Sequence, residues 1–424
     1  MKIVHPICGG LDVHKREIVA TVAITDSQNI TTYKQRRFPT FTSDLNALAD
    51  WFLSHDCRLV CMESTGKYYI PVYRVLEQRG LKPYVAHPKF LRSIPGKKTD
   101  PKDSKWIADL YKHDLVPMSY TPSRDIFEFR DLTRYYAKLT NIRTGEKNRI
   151  QNSLTVSNIM LSSVVSDTFG KAASAILRYV LDHPNEKNID FSQFMTKNLH
   201  ATPAEFIKAM DGVFSPEQAG KTKIALSHFD YINACLTQLD TAISLLARKF
   251  QPQINLLKTH PAITDHSAVR IIAEIGDDMS VFPDDKHFCS WAGLTPQCNE
   301  SGGRKKSVHI SHGGRYLKPV LIQVALAAVK DKSNPYYAYK YQALSRRRGK
   351  QRAIIAIARM ILTSIYHMLS QNVPYNPELY LSYYRKQSSK FSRVSIPKMI
   401  AFLASQGLSV IDNDGAVLNY PSTG

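Results

Sequence analysis

The chain has 424 residues and carries 56 Lys+Arg against 36 Asp+Glu, a formal charge of +20. An excess of that size suits a nucleic-acid binder, because each neutralised phosphate releases a counterion. Apolar residues make up 43% of the chain, an ordinary share for a globular protein, so roughly two to four domains with sizeable cores are expected. A membrane-surface protein would also be basic, but it would need a basic amphipathic helix or a lipidation signal, and neither is evident. The stretch MKIVHPICGGLDVHK lacks the apolar run of a signal peptide, and PVLIQVALAAV is too short to span a bilayer. The six cysteines are scattered with no CxxC pair, which argues against a zinc site or a disulfide framework. Cys57 and Cys61 flank a strand-like run and are expected to be buried. A reducing cytoplasm with no membrane partner is the expected compartment.

In chain order, ICGGLDVHKREIVATVAIT reads as strand, tight turn and strand. TSDLNALADWFLSH has helical spacing, with Ser43 or Asp44 as the expected N-cap. RLVCMEST reads as a buried strand, YYIPVYRVLEQRG as a helix ended by Gly80, and LKPYVAHP as another strand. DPKDSKWIADLYKHD reads as a helix with Pro101 in its first turn. Strands alternating with helices predict an α/β domain over residues 1–125. From 126 the pattern becomes helical. Phe129, Leu132, Tyr136 and Leu139 mark one side of a long helix, while Arg130, Arg134, Lys138, Arg143, Lys147 and Arg149 supply a basic face. Leu226, Phe229, Ile232, Leu236, Leu239, Ile243, Leu246 and Phe250 form a heptad-like seam. That seam fits packing within one chain, a helical hairpin or an intersubunit coiled coil. Residues 126–260 are therefore read as a helical, coiled-coil linker for nucleic-acid binding and oligomerisation. Residues 261–375 are read as a compact helical domain with a glycine-rich insert, NESGGRKKSVHISHGGRYLK. Residues 376–424 are read as an extension with one amphipathic stretch and no assigned chemistry.

Four carboxylates stand out. Asp12 lies in the first strand, Glu63 ends the strand RLVCME, and Asp100 and Asp103 share one helix face at i, i+3 spacing. Brought to one end of a sheet, they would repel one another unless divalent cations intervened. Mg²⁺ (or Mn²⁺) takes oxygen ligands and binds phosphate oxygens. A pair of such ions ~4 Å apart activates an attacking oxygen and stabilises the leaving one. Taken singly, Asp100 also reads as an N-cap, Glu63 as a strand-end surface residue, and the nearby Lys97, Lys98, Lys102 and Lys105 as ion-pair partners.

GLDVHK, MESTGKYYIPV, HPKFLRSIPGKKTDPKDS and NESGGRKKSVHISHGGRYL occur in this order. Together these blocks resemble the DEDD transposases of the Piv/MooV insertion-sequence group (IS-one-ten and IS-eleven-eleven), over roughly residues 5–155 and 255–370. The resemblance implies an RNase H-like, RuvC-like first domain whose four acids match Asp12, Glu63, Asp100 and Asp103, both as catalytic residues and as metal ligands. It implies a later transposase domain whose nucleophile matches Ser301, and an active site assembled in a multimer, a dimer or tetramer. It further implies an RNA-guided DNA recombinase of an insertion sequence, using a non-coding guide RNA and acting at the bacterial nucleoid. The family's usual small residue after the last acid is Ser104 here, a mild departure. PAITDHSAV, in place of a glycine-rich turn, puts a helix-hairpin-helix turn in doubt.

Read by themselves, the residues around Ser301 also make chemical sense. Two following glycines let backbone approach a ligand closely. Arg304, Lys305 and Lys306 suit non-bridging phosphate oxygens. A phosphoserine bond would conserve phosphodiester energy, so strands could be exchanged without ATP; the bland alternative is a polar loop touching DNA backbone. Lys98, Arg315, Arg346, Arg347, Arg348 and Lys350 are further candidate phosphate contacts, which carry little sequence information. Tyr316 reads as structural or phosphate-binding. Two other functions stay open: a metal-dependent junction or structure-selective nuclease, which would not need Ser301, and a site-specific DNA invertase.

Overall fold

The structure is a computed structural model. It describes residues 2–64, 66–91, 100–117, 120–184, 186, 189–194, 201–296, 299–301, 304–307, 309–378, 396–411 and 415–417. Within these, side chains are not described for 89, 90, 100–102, 299–301, 304–307, 396–398 and 401. Lys98 therefore lies outside the described residues, and of Asp100, Ser301, Arg304, Lys305 and Lys306 only the backbone is described. The chain divides into two compact units, Met1–Pro122 and Ser123–Gly424.

The first unit is built on five strands: β1 (Ile7–Val13), β2 (Glu17–Thr25), β3 (Thr31–Pro39), β4 (Leu59–Glu63) and β5 (Lys82–Ala86). Their order is β3-β2-β1-β4-β5. The first three run antiparallel, and β4 and β5 are parallel to β1. Helices α1 (Thr42–Leu53), α2 (Tyr69–Gln78), α3 (Pro88–Leu91) and α4 (Asp100–Lys112) complete it. This is the RNase H-like arrangement. Period-two alternation sorts the strands into two faces. Leu11, Val13, Val60 and Met62 pack with Leu48 and Phe52 of α1 and Leu76 of α2. Cys8, Cys61 and Ala86 pack on the other face with Ile107, Ala108 and Tyr111 of α4. Cys57 and Cys61 are buried free thiols, and burial pushes the Cys57 thiol up to about 12. The N-cap of α1 is not Ser43 or Asp44 but Phe41, extended and without a side-chain cap. The chain leaves β3 so tightly that the helix begins at Thr42, which puts Asp44 in the first turn, where a carboxylate favours the helix dipole.

Gly10 sets how closely α4 approaches the sheet. A Cβ there would stand 2.2 Å from the Ser104 carbonyl oxygen and 2.5 Å from the Ala108 nitrogen, both main-chain atoms. Gly10→Ala should thus destabilise the first unit by about 1–3 kcal/mol through overpacking. Native-state hydrogen exchange would show it as faster exchange across β1 and α4; unchanged protection would mean the helix moves away freely.

The second unit is mostly helical. Its frame is a pair of long helices, α5 (Arg124–Val156) and, after α6 (Leu161–Val164), α7 (Lys171–Asp182) and α8 (Pro203–Ala209), α9 (Pro216–Ala247). Ser123 and Ser215 cap the two long helices by accepting from the main-chain nitrogens of Ile126 and Gln218. The heptad-like seam of α9 lies against α5 of the same chain. Leu226 and Phe229 meet Ile150 and Leu154, Ile232 and Leu236 meet Leu139, and Ile243 and Phe250 meet Ile126 and Phe129. The seam thus packs within the chain as a helical hairpin.

At one end of the hairpin, Ile176, Leu177 and Phe206 pack with Ile150 and Leu154 of α5 and Leu226 and Phe229 of α9 in a smaller core. At the other end, the hairpin enters a core shared with α10 (Gln251–Lys258), α11 (Asp265–Ile275), α12 (Asp285–Trp291), α13 (Leu317–Lys330), α14 (Tyr336–Arg348) and α15 (Lys350–Gln371). By length and composition α15 would suit a membrane. Here its Ile357, Ile361, Leu362 and Ile365 are fully buried in that core. Between α12 and α13 lies a two-stranded hairpin, β6 (Asn299–Ser301) and β7 (Arg304–Ser307). A last helix covers Ile396–Ser405.

Candidate active site and nucleic-acid interface

The parallel register of β1 and β4 pairs Gly9 with Val60, Gly10 with Cys61 and Leu11 with Met62. The next residue on each strand is acidic, Asp12 and Glu63. Both fall on the face of the sheet that carries α4, because they are two residues beyond Gly10 and Cys61. Asp12 is 9% exposed, and its Oδ2 lies 3.0 Å from Nε2 of His14. Helix α4, which packs on this face through Ser104, Ile107 and Ala108, carries Asp103 in its first turns. The strand register thus sets Asp12 beside Glu63 at one end of this layer.

The seating of α4 depends on residues the sequence reading did not single out. Ser104 is fully buried beside Asp103. Its Oγ lies 2.8 Å from Thr21 Oγ1 of β2 and accepts from Gln35 Nε2 of β3 at 3.0 Å. Gln35 also donates to Thr21 at 2.9 Å. The serine hydroxyl is thus satisfied in a slot that only a small side chain fits. Lower on the same face, Lys112 is buried against Asp109 at 2.9 Å, Thr31 and Tyr33. A buried lysine is costly alone; with these partners its charge is held.

Hard oxygen donors of this kind match Mg²⁺ or Mn²⁺ in type. The thiols on the same face do not compete: burial pushes that of Cys8 up to about 12. Among the described residues, no three His, Cys, Asp or Glu side chains are already gathered to metal-binding distance. The side chain of the fourth expected acid, Asp100, lies outside what the structure describes.

In the second unit, β6 pairs with β7 so that Ser301 opposes Arg304. A bridge between Pro296 and Ile310 closes the base of this arm. The base is rigid because glycines are packed against main chain: a Cβ on Gly314 would stand 2.1 Å from the Ala292 carbonyl oxygen, and one on Gly293 2.4 Å from that of Gly313. Lys318 adds a hydrogen bond to the Ser311 carbonyl at 2.8 Å.

Comparison with known proteins finds matches in both units. Residues 9–159 match the DEDD transposase domain of the IS110 group, and residues 254–342 match the Transposase IS116/IS110/IS902 family. The chain belongs to the IS110 transposase family. Two curated relatives are the pilin gene-inverting proteins of Moraxella bovis and Moraxella lacunata, each 30% identical over 152 residues. The alignment takes in 34% of this chain and 46% of each relative, so the chain spans a little under half the length of the curated relatives it matches.

In this IS110-family chain the basic residues divide into two groups. Five of the six on the basic face of α5 make contacts within the unit, while Lys138 is exposed. Arg130 donates to the carbonyls of Ala273 and Glu274 at 3.1 and 2.8 Å, satisfying main-chain groups at the C-terminal end of α11. Arg134 grips both carboxylate oxygens of buried Glu274 at 2.7 Å, and its guanidinium lies 4.9 Å from the Tyr316 ring centre. Burial acts first on Arg134 and would lower its pKa, but the Glu274 carboxylate outweighs it and the pKa rises. Arg143 donates to Asn233 at 3.2 Å, Lys147 sits 4.7 Å from the Phe169 ring centre, and Arg149 pairs with Glu146 at 2.9 Å. Sequence could not foresee these partners, because Glu274 and Asn233 lie 140 and 90 residues away. By contrast, Arg315, Arg346, Arg347, Arg348 and Lys350 are exposed.

Proposed function

We propose that this IS110-family chain is a DNA recombinase that cuts and rejoins strands to move an insertion sequence. The observation that carries the reading is the placement of Asp12 and Glu63 at the ends of adjacent parallel strands, on the sheet face that α4 covers. Asp12, Glu63, Asp100 and Asp103 would hold Mg²⁺ or Mn²⁺, which supplies charge neutralisation at a scissile phosphate. His14, at 3.0 Å, fixes the orientation of the Asp12 carboxylate. The Ser301 hydroxyl attacks phosphorus and displaces one strand end, and the resulting ester keeps the bond energy for rejoining. Arg304, Lys305 and Lys306 on the paired strand would take the non-bridging oxygens.

Substrate capture falls to the exposed cations. Arg346, Arg347 and Arg348 end α14, where cations also favour the helix dipole. Replacing all three with glutamine should weaken binding of a DNA duplex and lower the slope of log K against log[salt] by up to about 0.9 per residue. Fluorescence anisotropy across a KCl series would measure this; an unchanged slope would remove these residues from the interface. A guide RNA and self-association into a dimer or tetramer belong to this proposal, supported by family membership and by the net charge. Co-purification of a discrete RNA, and light scattering of the complex, would test them.

The names of the Moraxella relatives favour a second reading, inversion of a DNA segment by the same chemistry. The decisive experiment is trapping with end-labelled DNA, the protein and Mg²⁺, followed by denaturing electrophoresis. A protein–DNA adduct supports strand exchange, with the junctions of the rejoined product separating inversion from transposition. Cleavage without an adduct would instead make the protein a hydrolytic, structure-selective nuclease.

A further inference from the structure

The chain reverses between β1 and β2 over Lys15 and Arg16, three and four residues after Asp12. The His14 main-chain nitrogen donates to the Glu17 carbonyl at 2.9 Å and closes the turn. Tight hairpin turns favour glycine, asparagine or aspartate, so turn chemistry does not call for two cations here. Both side chains are exposed, and among the described residues neither is in an ion pair. The neighbouring acids are engaged: Glu17 with Arg37 at 2.8 Å and Asp12 with His14 at 3.0 Å. The turn is anchored from the side, where Thr40 Oγ1 donates to the Lys15 carbonyl at 2.9 Å. Next to Thr40 stands Phe41, which at 74% is the most exposed Phe, Tyr or Trp among the described residues. It occupies the N-cap of α1, where serine, threonine, aspartate or asparagine would stabilise the helix, and it provides no cap. One exposed apolar side chain needs no explanation. Here a turn without turn residues adjoins a helix start without a cap, and both leave their side chains to solvent. Local rules are broken chiefly at functional sites.

We propose that Lys15, Arg16 and Phe41 form a foothold for an unpaired DNA strand, with a base stacked on the Phe41 ring and the flanking phosphates on the two cations. The inference rests on the reading that this protein cuts DNA. Every base has a π-face, so an exposed aromatic ring accepts any sequence, while cations beside it track the backbone. Duplex DNA keeps its base faces inside the stack and cannot use the ring. The foothold lies at the same end of the sheet as Asp12. Glu17 at the start of β2 pairs with Pro39 at the end of β3, and the three residues from Asp12 to Lys15 span at most about 10 Å. A strand held there is presented, unpaired, beside the acids.

The test uses the full-length protein in EDTA, so that binding is read without chemistry. The probes are a labelled single-stranded DNA, its duplex and the single-stranded RNA of the same sequence, across a KCl series. Phe41→Ser should weaken binding of single-stranded DNA about tenfold, and of the duplex by less than about twofold. Phe41→Tyr should keep the wild-type affinity. The combined Lys15→Gln and Arg16→Gln variant should lower the single-strand salt slope by about 0.7 per residue. Thermal melting separates binding from structure: Phe41→Ser should melt at or above the wild-type temperature, because serine supplies the missing cap. Unchanged single-strand affinity in Phe41→Ser would overturn the foothold, as would an equal loss for the duplex, a loss confined to RNA, or an unchanged slope in the combined variant. Weaker binding accompanied by a lowered melting temperature would overturn it too. Failure of the wild type to bind any probe would overturn the recombinase reading itself, and the foothold with it.

Discussion

Asp12→Asn should abolish metal-supported DNA cleavage, by at least about a thousandfold, or about 4 kcal/mol of transition-state stabilisation. Asparagine keeps the shape of aspartate and can still meet His14, so the fold should survive; only the charge that a divalent ion needs is lost. The measurement is cleavage of end-labelled DNA in Mg²⁺ and in Mn²⁺, with circular dichroism as the check on folding. Melting offers a second readout. Mg²⁺ should raise the melting temperature of the wild type, because a ligand that binds only the folded state stabilises it, and should leave Asp12→Asn unchanged. Glu63→Gln and Asp103→Asn should behave alike. Retained cleavage in Asp12→Asn would show that the acids at the ends of β1 and β4 are not the reacting centre, and the proteins would then be compared for nucleic-acid binding alone.

Ser301→Ala should eliminate the covalent protein–DNA adduct while leaving DNA affinity within about twofold, since a single hydroxyl contributes little to an interface dominated by phosphate charge. Strand exchange should vanish with the adduct. The informative comparison is with Asp12→Asn. If both variants lose all cleavage, acids and serine serve one reaction. If Ser301→Ala still cuts DNA but forms no product of exchange, water has replaced the serine. An adduct that persists in Ser301→Ala would move the nucleophile to another side chain, and the abundant tyrosines would become the next candidates.

Much of the first unit was legible because its strands carry strong periodic signals. β1 and β2 read correctly from their alternating, β-branched character, β4 from its short apolar run, and β5 as a further strand. β3 did not: Thr31–Pro39 is mostly exposed, with Lys34, Arg36 and Arg37 along an edge strand, so no apolar alternation marks it. The acids were legible as types at given spacings, and the strand register sets Asp12 beside Glu63. What could not be read was support from distant residues. Nothing near Ser104 in sequence announces Thr21 and Gln35, and nothing near Arg134 announces Glu274. The seam of α9 was visible, yet its partner was not, because the buried positions of α5 include Thr133, Glu146 and Ser153, which blur the apolar period. A basic face on a helix looks the same in sequence whether it meets phosphate or a buried carboxylate.

The two units also differ in when they can be completed during synthesis. The first closes its cores with residues up to Val116. It can therefore fold while the rest of the chain is still being made, as separate units generally do. The second cannot. Its main core begins with Ile126 and Phe129 and ends with Tyr375, some 250 residues later. Until α9 to α15 have left the ribosome, α5 stands as a helix of about 50 Å with its apolar side uncovered. The small core at residues 150–229 offers an earlier partner for its far end, so order should spread along α5 from that end back toward Arg124. A chain cut short between α9 and α13 would keep the first unit intact and present the long helix as a site for aggregation. Early termination would then yield a folded fragment carrying Asp12, Glu63 and Asp103 without the arm that holds Ser301.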